Sequence, residues 1–221
     1  MAGGFLRIAI VASGLALLAA APRPLEGTIR GRVQLAAVPR PSGRPAIGEL
    51  SASKADPIDR RRCVVYLKFG PSEAFAPLRK GRVRMDQRGE QFVPHLLAIT
   101  AGTFVEFPNS DTTFHNVFSL VPGSNGFDLG RYPPGRTGGH RFDTPGIVPV
   151  SCDIHSHMSA YILVFSHPFF AVTDDDGRYS IGAVPAGSYK LLVWSELGHV
   201  EPREISVGDG ETVDADFQVI R

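Results

Sequence analysis

Three things are scarce in this chain, and each scarcity closes off a class of protein. There are two cysteines in 221 residues, too few for the disulfide scaffold that small exported domains use in place of a large core. Charge of one sign is never in excess. The 23 Lys and Arg stand against 22 Asp and Glu, which argues against nucleic acid or an anionic membrane surface as the main partner. Long regular runs are missing too. No segment sustains helical periodicity over the 11 or more residues that mark an amphipathic helix. The apolar run Ile8–Ala20 has thirteen residues, short of the ~20 needed to span a bilayer. Glycine and proline are the opposite case. At 24 and 18 residues they make up roughly 19% of the chain against about 12% in average usage. Helices tolerate such punctuation poorly, whereas short strands with tight turns need it. With 43% hydrophobic residues the chain can bury a core.

The first 21 residues read as a signal peptide. Arg7 gives a positive start, Ile8–Ala20 an uncharged apolar stretch, and Ala19 and Ala21 small residues at a cleavage point. Cleavage after Ala20 is the alternative, since Pro22 follows Ala21. The expectation is an exported, periplasmic protein with no membrane span once the signal is removed. Behind it, Thr28–Ala36, Cys63–Phe69, Arg82–Arg88, Phe92–Thr100, Thr103–Phe107, Phe114–Leu120, Gly139–Phe142, Ile147–Cys152 and Ala160–Phe165 read as strands. So do Phe170–Thr173, Arg178–Ile181, Tyr189–Trp194, Arg203–Val207 and Thr212–Val219. Residues 37–59, rich in Pro, Ser, Gly and Ala, read as a long loop. Many short strands at this spacing indicate an all-β fold built of sandwiches.

The chemistry concentrates in two places. Val150–Val164 (VSCDIHSHMSAYILV) sets Cys152, His155 and Met158 at three-residue steps between two strands, and His115 opens a strand upstream. A soft thiolate, two imidazoles and a weak thioether suit a copper ion cycling between Cu(I) and Cu(II). A His₂Cys plane with a long axial Met satisfies neither oxidation state fully, so little has to move when an electron arrives. Two strand ends and one loop can hold such ligands rigidly. His157 competes with His155 for one corner of the plane, and the residues alone leave that choice open. A Cys63–Cys152 disulfide is the rival reading of the two cysteines.

These residues resemble the cupredoxins, and the Cys-x₂-His-x₂-Met spacing resembles amicyanin. Phe92-Val93-Pro94, Gly102-Thr103, Phe107–Asp111, His115-Asn116-Val117 and Phe142–Gly146 agree with that likeness. The segments 115–119, 127–130 and 158–164 resemble bacterial methylamine-utilization-like cupredoxins. The likeness covers Lys80–Ser166. It implies a Greek-key sandwich holding one copper ion on His115, Cys152, His155 and Met158. It also implies that Asn116 braces the cysteine loop and points its backbone N–H at the sulfur, a role that tunes potential. His155 would then be the electron port, with Phe118, Pro122 and Met158 as an apolar docking patch.

Thr173–Trp194 (TDDDGRYSIGAVPAGSYKLLVW) resembles a carboxypeptidase-regulatory or transthyretin-like sandwich, with turns at Asp175-Asp176-Gly177 and Val184–Gly187. Thr28–Val33 and Cys63–Leu67 resemble its two earlier strands. The implied organisation is a discontinuous sandwich, 26–78 and 168–221, with a cupredoxin at 79–167 inserted in it; an appended C-terminal hairpin is the alternative. Insertion at a loop with close ends is tolerated. Charge is uneven: residues 60–88 hold nine basic and two acidic side chains, and 174–221 ten acidic and four basic. Asp174–Asp176 lack the rest of a calcium loop and read as a turn. The reading is an exported mononuclear copper protein that carries electrons to or from a partner protein. No flavin motif, second copper cluster or Ser-His-Asp pattern marks an enzyme. A copper carrier or store, or a binding module for a protein or glycan, are the other classes that these features allow.

Overall fold

The structure, a computed structural model, describes residues 25–35, 59–68 and 81–220. The signal segment Met1–Ala21, and all but the last residue of the 37–59 loop, lie outside the described residues. Within them there are strands and two short 3-10 turns, but no α-helix. No helix among them is long and apolar enough to cross a membrane. The all-β class expected from the sequence is the class observed.

The strands are β1 (Gly27–Leu35), β2 (Val64–Leu67), β3 (Arg82–Arg84), β4 (Asp86–Gln87), β5 (Phe92–Val93), β6 (Leu96–Thr100), β7 (Thr103–Pro108), β8 (His115–Ser119) and β9 (Phe127–Tyr132). They continue with β10 (Thr137–Phe142), β11 (Gly146–Ser151), β12 (Ser159–Phe165), β13 (Phe170–Val172), β14 (Arg178–Val184), β15 (Gly187–Trp194), β16 (Arg203–Val207), β17 (Thr212–Asp214) and β18 (Phe217–Val219). They form four sheets and a hairpin. One sheet runs β14-β1-β17, with β18 also on β1; another runs β13-β2-β15-β16. A third runs β10-β7-β3, a fourth β6-β12-β11-β8-β9, and β4-β5 is the hairpin.

The pairings join chain ends. β1 pairs antiparallel with β14, setting Ile29 opposite Ile181 and Gly31 opposite Tyr179. It also pairs parallel with β17 and β18. β2 lies between β13 and β15, with Val64 opposite both Val172 and Trp194. Alternation buries one side of these strands. Ile29, Val65, Leu67, Ile181, Leu191 and Val219 meet in one core drawn only from residues 29–67 and 169–219. A second core, from Met85 to Val164, holds Phe92, Phe107, Phe142 and Ile162 together with Cys152 and Met158. A smaller cluster of Val64, Leu96, Leu163 and Phe165, flanked by Tyr66, Tyr161, Phe170 and Trp194, lies between strands of both.

Three strands expected as single pieces are broken. Phe92–Thr100 is interrupted at Pro94, whose peptide bond to Val93 is cis. Arg82–Arg88 breaks at Met85, which is fully buried and donates its N–H to Glu106 O. Thr212–Val219 breaks at Ala215 and Asp216, which serve β1. Ala215 N–H donates to Arg30 O, and the Asp216 carboxylate accepts from Arg32 N–H.

Candidate metal centre

His115 begins β8, Cys152 follows the last residue of β11, and His155 lies in the loop before β12. β8 and β11 are neighbours, with Phe118 opposite Ser151. That register brings the start of one strand beside the end of the other, although 36 residues separate Asn116 from Cys152. His115, Cys152 and His155 each offer one ligand atom, and these atoms lie within 4.8 Å of one another. The Nδ1 atoms of the two histidines are 3.0 Å apart. His115 is fully buried and Cys152 nearly so, whereas His155 is half-buried. The Asn116 backbone N–H donates to Cys152 Sγ at 3.5 Å. Its side chain goes elsewhere, donating through Nδ2 to Asp128 Oδ1 at 2.7 Å.

Met158 is buried in the same core cluster as Cys152, and its N–H donates to His155 O at 2.9 Å. That bond closes the loop from His155 to Met158 into a tight turn. Met158 therefore gives nothing to a surface patch. Phe118 is half-buried, Pro122 is exposed, and Phe114, Leu120 and Ile154 are exposed apolar residues flanking β8 and the cysteine loop. His157 stays outside the cluster. Its imidazole is exposed, and Nε2 lies 3.3 Å from the Glu90 carboxylate.

The loops around His115 and Cys152 are braced by polar groups. Asn109 donates through Nδ2 to Thr113 O and Tyr132 O, and its Oδ1 accepts from Asp111 N–H. Beneath it, buried Gln87 donates to Pro108 O and to the Tyr132 hydroxyl, which itself donates to Phe107 O. Burial there pushes the Tyr132 hydroxyl well above its ordinary range. Arg131 on β9 makes two hydrogen bonds to Asp153 of the cysteine loop. Asp111 Oδ2 lies 2.8 Å from His115 Nε2. Its carboxylate also accepts from Glu90 N–H at 2.9 Å and from Gly89 N–H. Burial alone would raise the Asp111 carboxyl, but these donors and His115 outweigh it and hold the group below its ordinary value.

Both cysteines are free thiols, in different core clusters. Of the other histidines, His95 faces Glu196 at 2.6 Å, His140 stacks on Phe127, His167 is buried and His199 faces Glu201. Asp174–Asp176 make a turn, in which Asp174 Oδ1 accepts from the N–H groups of Asp176 and Arg178. A thiol and two imidazole nitrogens converging with no carboxylate among them is a soft-to-borderline donor set. It fits copper and does not fit calcium or magnesium.

No family model matches the chain, and no curated protein matches it. Solved structures match part of it. A copper-containing nitrite reductase from Thermus scotoductus is 29% identical over 38% of this chain and 22% of its own, with a TM-score of 0.36. This chain thus spans about a fifth of that enzyme's length. A purple cupredoxin from Nitrosopumilus maritimus is 20% identical over 38% of this chain and 99% of its own, with a TM-score of 0.35. A reduced amicyanin variant is 17% identical over 46% and 98%, with a TM-score of 0.36.

Proposed function

We propose that residues 79–167 are a cupredoxin-like unit that binds one copper ion through His115, Cys152, His155 and Met158 and carries electrons for a partner protein. The single observation that supports this most is the convergence of three soft or borderline donors from two chain segments into one cluster, with His115 and Cys152 buried and His155 half-buried. Bound copper would supply reversible one-electron chemistry between Cu(I) and Cu(II). The chain's own contributions follow from the braces. The Asn116 N–H directed at Sγ lowers electron density on the sulfur and stabilises the thiolate. The buried position of Cys152 and Met158 keeps water from the sulfur side. His155 is the ligand with an exposed edge, which makes it the route for electrons in and out. The protein works as a carrier, not an enzyme, and is exported to the periplasm through its N-terminal signal. Residues 26–78 and 168–221 form a regulatory-like sandwich around the copper unit, a division that the pairings of β1 with β14 and of β2 with β15 support.

The test is the visible and EPR spectrum of the protein loaded with Cu(II). An intense thiolate-to-copper band is expected, lost in Cys152→Ala and kept in Cys63→Ala. Tight Cu(I) binding with no band would point to a carrier or store instead. A colourless protein with a Cys63–Cys152 bridge would sink both.

A further inference from the structure

The feature that the ligand set leaves unexplained is the carboxylate behind His115. Asp111 is four residues upstream of it, in the loop between β7 and β8, and only 13% of its side chain is exposed. It takes three donors: the imidazole Nε2 and the consecutive backbone N–H groups of Gly89 and Glu90 at the tip of the β4–β5 hairpin. That tip is held open toward it by a left-handed backbone, with φ of +62° at Gly89 and +55° at Glu90. The Glu90 side chain reaches the other way, to His157 on the cysteine loop. One hairpin tip therefore spans both ligand loops.

We propose that Asp111 is the positioning residue of this centre. It fixes the tautomer and ring orientation of His115 before any metal arrives, and the Gly89–Glu90 tip orients Asp111. This rests on the copper reading above for its purpose, though not for its geometry. An ionised carboxylate can only accept, so the proton of neutral His115 sits on Nε2. Nδ1 is then left with its lone pair, directed at the cluster. Its neighbour across 3.0 Å is His155 Nδ1, which must be the donor of that contact in the metal-free chain. Without the carboxylate no hydrogen bond among the described residues holds the His115 proton on Nε2. The ring could place it on Nδ1, where a metal must bind. A charge-assisted bond at 2.8 Å is about twice as strong as a neutral one, and it also raises the basicity of the ligand nitrogen.

The test uses the full chain labelled with ¹⁵N-histidine, read by two-bond ¹H–¹⁵N correlation without metal, together with Cu(I) affinity against a chromogenic chelator. Wild-type His115 is expected as a single Nε2–H tautomer. Asp111→Ala should give mixed tautomers and a Cu(I) affinity lower by roughly 10–100-fold, the usual cost of losing such a partner. Asp111→Asn keeps one acceptor oxygen and should restore the Nε2–H tautomer with a smaller loss. A single Nε2–H tautomer in Asp111→Ala, with affinity within about twofold of wild type, would overturn the proposal. If Asp111→Ala fails to fold, unchanged affinity in Asp111→Asn together with an Nδ1–H tautomer in wild type overturns it equally. A wild-type chain that does not bind copper would sink the copper reading, while the metal-free tautomer measurement still decides the role of Asp111.

Discussion

At the residue scale the centre turns on which histidine of the loop faces inward. His155 and His157 are two apart, and in an extended segment they would share a face. The loop is not extended. The Met158 N–H bonded to His155 O makes a turn, which brings His155 to His115 and leaves His157 outside with Glu90. The expected outcome is asymmetric. His155→Ala should remove the thiolate band of the copper-loaded protein, and His157→Ala should leave it with its intensity within about a fifth of wild type. Loss of the band in His157→Ala alone would reverse the assignment. An exposed His–Glu pair is worth about 0–1 kcal/mol, so His157→Ala should also leave stability nearly unchanged. The thiol and the imidazoles were legible in the sequence because ligand chemistry needs rare residue types at a fixed spacing. Asp111 was not. An aspartate in a polar loop is an ordinary turn residue, and only the folded register brings its carboxylate onto Nε2.

At the scale of elements, the strands legible in advance are those whose β-branched and aromatic residues alternate over a buried core, such as β1, β7, β12 and β16. The strand that escaped notice is β9. Phe127–Tyr132 (FDLGRY) carries Asp, Gly and Arg and lies at a sheet edge on β8 alone, where burial imposes little pattern. It matters nonetheless, since Asp128 and Arg131 on it hold Asn116 and the cysteine loop. β1 shows the converse, a sequence feature with a sharp structural demand. It takes β14 on one side and both β17 and β18 on the other. Gly31 sits where the last two hand over, and a Cβ there would lie 2.0 Å from Ala215 O. The obstacle is backbone, itself fixed by the Tyr179 hydroxyl and by Ala215 N–H on Arg30 O. Gly31→Ala should therefore force β1 and β17 apart and cost about 1–3 kcal/mol, the usual range for overpacking. A denaturant midpoint unchanged from wild type would show that the strands can give way. The copper band at ambient temperature should survive, because no residue of the centre lies on these strands.

At the scale of the whole molecule, near-neutral net charge conceals two oppositely charged segments, and the fold spends part of that difference internally. Arg30 pairs with Asp214, and Arg62 with Asp175, so basic residues early in the chain meet acidic ones from its end. Those pairs lie within the segments of the first core, and the two cores are joined by other contacts. Leu163 and Phe165 on β12, the strand that leaves the cysteine loop, pack with Val64 of β2. Tyr161 of β12 packs against Trp194 of β15 with ring centroids 4.9 Å apart and the planes tilted by 57°, and His95 meets Glu196 at 2.6 Å. A shared apolar cluster with an aromatic contact across it should couple the halves into one cooperative unit. Two independent reporters test this. Trp194 is the sole tryptophan and sits at the junction, whereas the thiolate band reports the centre just before the start of β12. Their thermal transitions should coincide in the wild-type protein. Leu163→Ala, which empties a nearly fully buried position, should lower both together, with a loss of about 2–5 kcal/mol. If the Trp194 signal melts several degrees away from the band, the cluster does not couple the cores, and the two unfold independently of each other.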